Sequence, residues 1–342
     1  MVNFLLRKIT RVIAVILGAV LITFLLMHAV PGNPWTNYST DEKMMINIDI
    51  QPATVEMLAH RYGFDLPLWR QFTRYVIGDI YEDGNFICGA ICGNLGPSMQ
   101  QRGRTVNEVL FAPPEGKTFW QSRFGYSIRL VFFGAIFAAG FGILLGILSG
   151  IKPNSPLSRV ISLTLAALIS IPNFVLGLLV IIVLASWLSV IKVLPDWSDP
   201  VSWIVPALVL AVMPMANIAR VTQATLVNIM NEDYIRTARG KGASEARVMR
   251  YHVLRNAAVP VITYLGPTLI ELFTGLFIVE SLYAFPGLGR EYWIAILRLD
   301  YPIIMGLTII YAVGIVLVNI FIEIISEILD PRLRAVQQQG AP

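Results

Sequence analysis

Charge is what this sequence has least of: only 14% of its 342 residues are Asp, Glu, Lys or Arg, against roughly 25% in soluble proteins. That scarcity argues against a water-soluble chain, and an apolar content of 56% points to a bilayer as the solvent. Cysteine is almost absent, with two residues, so a disulfide scaffold is excluded. The three histidines, His28, His60 and His252, offer no spacing that would hold zinc on one helix, and no metal site is expected. Nor is there a GxxxxGK[ST] phosphate loop; Gly240-Lys241-Gly242 lacks both the preceding glycine and the following hydroxyl residue. The net charge of +4 would suggest nucleic acid in a soluble domain, but in a membrane chain it reflects basic cytoplasmic loops, and no nucleic-acid partner is expected.

Long apolar runs are what the sequence does have. A helix needs about 20 apolar residues to cross about 30 Å of hydrocarbon. The runs are Val12 to Val30, Leu130 to Ile151, Val160 to Ile191, Val201 to Ala219, Ala257 to about Tyr283, and Tyr301 to Ile322, which makes six spans. The first follows Arg7, Lys8 and Arg11 and could be a secretory signal, but it exceeds a signal's apolar core and Met27-His28-Ala29 makes a poor cleavage site, so it reads as an anchor. The third is long for one helix and short for two, and Pro172 inside it suggests a tilted or kinked span.

Lys and Arg near the span ends set the orientation. Alternating sides collects Arg7, Lys8, Arg11, Lys152, Arg159, the basic run from Arg220 to Arg255, Arg332 and Arg334 on one side, which places both termini in the cytoplasm. The expected organisation is an all-α integral membrane protein: 1–30 as the first span, 31–129 as an extracytoplasmic cap between helices 1 and 2, 130–330 as a five-helix core with a cytoplasmic loop at 220–256, and 331–342 as a tail. Within the cap, Thr54 to Tyr62 and Leu68 to Ile80 have helical spacing. Cys88 and Cys92 lie there on the oxidising side, either as a local disulfide or as two thiols in a small core.

Glu271 and Glu280 interrupt the fifth run, and an acidic residue at a helix centre costs roughly 2.5 to 3.5 kcal/mol on insertion scales. Nine residues apart, they stand about 180° from each other around a helix and cannot face one narrow path. Glu280 lies near the outer end and either reaches the interface or joins a pathway; Glu271, deeper, either lines a translocation cavity or bonds a partner subunit. Trp187, Trp197 and Trp203 read as an aromatic belt, and Phe285 to Arg290 as a turn after span five. In the cytoplasmic segment a helix ends near Arg239, Gly240 to Gly242 break it, and Ser244-Glu245 open a second helix whose Ala246, Met249 and Val253 share an apolar face.

Asp233 to Gly242, followed by His252 to Ala257, resembles the cytoplasmic loop of permease subunits of ATP-driven (ABC) importers, in the oligopeptide and dipeptide branch. The general loop begins with Glu-Ala-Ala, where this chain has Arg236, Thr237 and Ala238, and the proline ending the general pattern is replaced by Arg255. Both departures resemble the peptide and nickel branch. Other landmarks of the resemblance are Pro31 to Pro34, Gly63 to Phe72, Asn94 to Ser98, Ser170 to Phe174, Phe285 to Arg290 and Asp330 to Arg332; Tyr81 to Gly93 and Phe111 to Phe124 look like insertions.

The resemblance implies a type I ABC importer permease-like fold in a bacterial or archaeal plasma membrane. It also implies a homologous second permease, two ATP-binding subunits that carry ATP and Mg, and an extracytoplasmic peptide-binding protein, with surrounding membrane lipid. The chain itself would bind no cofactor and catalyse nothing. Arg236, Thr237, Ala238, Arg239, Gly242, Ala246, Met249 and Val253 would couple ATPase movement to the spans. The alternatives are a stand-alone secondary transporter or channel, for which internal repeats and coupling-ion sites are missing, and a permease for nickel or another small solute. An intramembrane hydrolase would need a Ser/His pair at one depth, and none is evident.

Overall fold

The computed structural model describes residues 2–30, 57, 60, 62–80, 84–101, 103–192 and 196–329. The expected helix Thr54 to Tyr62 lies largely outside them, as do Pro31 to Pro34 and the tail. In chain order the helices are α1 (Val2–Ala29), α2 (Leu68–Val76), α3 (Val106–Phe111), α4 (Arg123–Ile151), α5 (Pro156–Ser170) and α6 (Asn173–Ile181). There follow α7 (Ile204–Met230), α8 (Asp233–Gly240), α9 (Glu245–Val248), α10 (Leu254–Leu282), α11 (Leu288–Leu297) and α12 (Tyr301–Leu329). Among the described residues an antiparallel pair of strands, β1 (Gly78–Ile80) with β2 (Phe86–Cys88), sets Ile80 opposite Phe86.

Among the described residues four helices are long and apolar enough to cross a membrane: Thr10–Ala29, Arg123–Ile151, Pro200–Met230 and Tyr301–Ile325. Two bent pairs, Pro156–Ser170 with Asn173–Trp187 and Glu245–Thr268 with Ile270–Leu282, raise the number to six if each pair is one span. The third run departs from a simple kinked helix, because its halves meet at 102°. Ile171, forced out of the helical region by the following proline, is extended with ψ 122°, and Pro172 then starts a new helix.

Two compact units make up the chain, Met1–Tyr126 with Gly287–Gly314, and Ser127–Pro286 with Ile315–Pro342. The core of the first gathers Val20, Phe24 and Met27 of α1, Val106, Val109 and Leu110 of α3, and Ile303, Ile304 and Leu307 of α12. α3 begins with a capping box in which Thr105 and Glu108 satisfy each other's backbone N–H. Those hydrogen bonds hold the Glu108 carboxyl below its ordinary range. α2 ends at Val76, so the helix expected to reach Ile80 gives way to β1. The cause is Gly78, at φ +118°, where a Cβ would lie 2.2 Å from the Ile87 carbonyl oxygen. α11 was hidden in sequence: too short to span, it occupies what reads as a loop.

In the second unit α4 packs on α7 through Gly142, Gly146 and Gly150, one turn apart. A Cβ at Gly146 would stand 2.4 Å from Thr222 Cβ and 2.7 Å from the Ala219 carbonyl oxygen, so the backbones approach as closely as small residues allow. α5 meets α7 through Ile161, Leu165, Ala216 and Ala219.

Candidate functional site

The basic loop 231–256 is a folded element. Asp233 opens α8 and Arg239 closes it, each with the sign the helix dipole favours. Ile235 is fully buried with Leu226, Val248, Val253 and Ala257, and Ala238, Ala243 and Met249 pack at the edge of this cluster. After α8 the chain reverses at Gly242, which has φ +80° and open space around its Cβ position, so glycine is needed there for backbone conformation. The Gly242 N–H donates to the Arg239 carbonyl at 2.9 Å, and Ala243 N–H to the Ala238 carbonyl at 3.2 Å. Arg239 Nε and a terminal nitrogen donate to the two Glu245 oxygens at 2.8 and 3.2 Å, pinning the far side of the turn. Asn256 Nδ2 donates to the Tyr234 hydroxyl at 3.0 Å, tying α8 to the start of α10.

The apolar face expected along Ala246, Met249 and Val253 is rearranged. Met249–Val253 form a π-helical turn, and the wider spacing aligns Val248 and Val253 towards the chain's own core. Val253 therefore holds the loop together and has no surface for a partner. Ala246 is exposed, with Arg236, Thr237, Arg239, Gly242 and Arg247. Tyr234 and Tyr251 are exposed too, and neither was singled out from sequence.

The two glutamates of α10 have different surroundings. Glu280 is 0% exposed and accepts a 2.6 Å hydrogen bond from Ser127 Oγ, so it does not reach the interface as its position near the helix end suggests. Glu271 is exposed on this chain and accepts from Asn217 Nδ2 of α7 at 3.3 Å. One turn along α10, Asn173 Nδ2 stands 3.8 Å from the Cβ position of Gly275. Trp203 and Trp197 also depart from a lipid-facing belt: both rings pack on the buried Phe285 ring, and the Arg129 guanidinium covers Trp203 at 4.2 Å. Trp187 stays exposed.

Two buried acids of the first unit escaped the sequence reading. Asp300 accepts from Ser98 Oγ and from the backbone N–H groups of Met99 and Gln100, at 3.2 and 3.1 Å for the amides. Glu291 of α11 pairs with Arg123 at 2.9 Å and accepts from Gln101 Nε2 at 2.7 Å. The signal for Asp300 was there, since an aspartate just ahead of Tyr301-Pro302 is a helix N-cap pattern. Cys88 and Cys92 are joined as a disulfide at the end of β2, with Cα atoms 5.9 Å apart. Among the described residues no three His, Cys, Asp or Glu side chains are placed to hold a metal ion.

Among the described residues, apolar helices long enough to cross a membrane, two bent pairs and a folded basic loop are the features of a multi-pass membrane protein. Residues 142–335 match the family described as binding-protein-dependent transport system inner membrane component, and residues 1–114 match the family of its N-terminal portion. The chain belongs to this family of transport-system membrane components. It is 32% identical to the dipeptide transport system permease protein DppB of Bacillus subtilis (strain 168), over 98% of each chain. It is 31% identical to the oligopeptide transport system permease protein AppB of the same organism, over 97% of this chain and 99% of that one. The fold is similar to that of a solved amino acid ABC transporter chain, at TM-score 0.51 and 18% identity, covering 61% of this chain and 92% of that one. It is similar also to a chain of the inward-facing MetNI methionine ABC transporter, at TM-score 0.50 and 18% identity, covering 60% and 93%.

Proposed function

We propose that this chain is the permease subunit of an ATP-driven peptide importer, forming half of a translocation pathway and coupling it to ATPases in the cytoplasm. The observation that carries the reading is the folded loop 231–256 in a chain that matches peptide-system permeases over nearly its whole length. A charged connector with no partner needs no buried Ile235, no pinned glycine turn and no tie to the next helix.

In this reading the bent pairs are single spans, giving six, with both termini and loop 231–256 in the cytoplasm and 31–129 outside. A homologous permease supplies the other half, two ATP-binding subunits carry ATP and Mg, and an extracytoplasmic protein delivers the peptide. Arg236, Thr237, Ala238, Arg239, Gly242, Ala246 and the edge of Met249 form the surface that an ATPase subunit grips. The buried Ile235 and the Tyr234–Asn256 bond transmit its movement to α7 and α10. Glu271 faces the pathway.

The test is uptake of a radiolabelled dipeptide and a pentapeptide by the source organism with and without this chain. Loss of peptide uptake on deletion, restored by the wild-type chain, is the expected result. Unchanged peptide uptake together with lost nickel uptake would replace peptide by metal as the cargo.

A further inference from the structure

Two spans of the second unit are bent at a break and a third helix carries an interior proline, and polar side chains stand close to these places. α5 and α6 part at Ile171–Pro172, and Asn173 is the first residue beyond. α7 carries Pro214 three residues before Asn217. α10 carries Pro267 and bends by 41° between Thr268 and Ile270, immediately before Glu271. An interior proline leaves a backbone carbonyl without its helical donor, and irregular backbone at membrane depth is tolerated only inside protein or along a wet cavity.

The side chains repeat the message. Glu271 is exposed on this chain, while its neighbour Leu272 and Leu276 on the same helix are buried. Asn217 donates to one of its oxygens at 3.3 Å, and among the described residues no Lys or Arg forms an ion pair with it. Asn173 lies against Gly275, one turn further along the face that carries Glu271. A carboxylate that accepts from one carboxamide, with a second carboxamide one turn along its helix, is a receptor for a cation attached to a hydrogen-bonding amide.

We infer that Glu271, Asn217 and Asn173 form a transient site for the free N-terminus of the transported peptide. The α-ammonium pairs with the Glu271 carboxylate, and the carboxamides of Asn217 and Asn173 take the N–H and C=O of the first peptide bond. A C-terminal carboxylate is repelled by the same glutamate, so the strip selects one end of the peptide. The inference rests on the peptide-permease reading and adds which end of the cargo is held and by which residues.

The experiment uses the assembled transporter with its partner subunits in lipid nanodiscs, and proteoliposomes of the same preparation for uptake. The probes are tripeptides with a diazirine side chain at either the first or the third residue. The expected result is crosslinking of the first-residue probe to α7 near Asn217 or α10 near Glu271, about tenfold above that of the third-residue probe. Glu271→Gln should abolish this preference and lower uptake at least about tenfold, with Glu271→Asp recovering much of both. Equal crosslinking from both ends, or none on these helices while uptake proceeds, overturns the inference and leaves the permease reading intact. Absence of peptide uptake by the wild-type assembly overturns both.

Discussion

Ser127 Oγ donates a 2.6 Å hydrogen bond to the Glu280 carboxylate, with Ser127 1% and Glu280 0% exposed. α4 and α10 are thereby tied by a buried polar contact in surroundings where unsatisfied oxygen is costly. Ser127→Ala should lower the stability of the purified protein by about 1–3 kcal/mol, because it removes a donor from a buried acceptor. Thermal unfolding in detergent, followed by loss of the monodisperse chromatographic peak, checks this; a midpoint equal to wild type would show that the bond contributes nothing. Glu280→Gln, which keeps an acceptor, should fall between the two.

Asp300 should behave as the clasp of the Ser98–Gln101 turn. Burial pushes its carboxyl above the ordinary aspartate range, and the hydrogen bonds from Ser98, Met99, Gln100 and Ile303 oppose the rise only in part. A carboxyl raised in the folded state binds more protons folded than unfolded. Its contribution is therefore greatest below the ordinary aspartate range and declines as pH rises through the raised value. Hydrogen exchange at the Met99 and Gln100 amides, corrected for intrinsic rate, should show protection falling over that window. Asp300→Ala should lower protection about tenfold or more, and Asp300→Asn should remove the pH dependence.

Cys88 and Cys92 should resist alkylation until reduced, with the intact peptide two hydrogens lighter than its reduced form. Closing so short a loop constrains the unfolded chain by about 2 kcal/mol in the chain-entropy estimate, so Cys88→Ser with Cys92→Ser should loosen the hairpin without affecting the spans. Free alkylation of both thiols in protein from unreduced membranes would contradict the pairing.

Periodicity and charge made the apolar runs and the basic loop legible, because insertion into a bilayer is governed by summed hydropathy. The sharp break at Ile171–Pro172 was signalled by proline, yet proline alone does not distinguish a kink from a 102° turn. α11 escaped because a ten-residue helix looks like a loop when only runs long enough to span are counted. The inward turn of Val253 depends on a π-helical turn, which has no local sequence signature, so a 3.6-residue period assigned the residue to the wrong face. The roles of Glu280 and Asp300 rest on partners more than 150 residues away, Ser127 and Ser98, and such pairings are invisible to a local reading.

The coupling role of loop 231–256 is tested most directly at Gly242. Its φ of +80° disfavours any side chain, and valine, branched at Cβ, adds about 1–2 kcal/mol of strain at the turn between α8 and α9. ATP hydrolysis stimulated by the binding protein is the quantity to measure, in the assembled transporter, for wild type, Gly242→Val and Arg247→Ala. Gly242→Val should abolish the stimulation or release the ATPase subunits while the permease remains in the membrane. Arg247→Ala, an exposed charge with little to lose, should stay close to wild type. Full stimulation and full peptide uptake by a well-expressed Gly242→Val complex would contradict the coupling role and return the chain to the class of transporters that work alone.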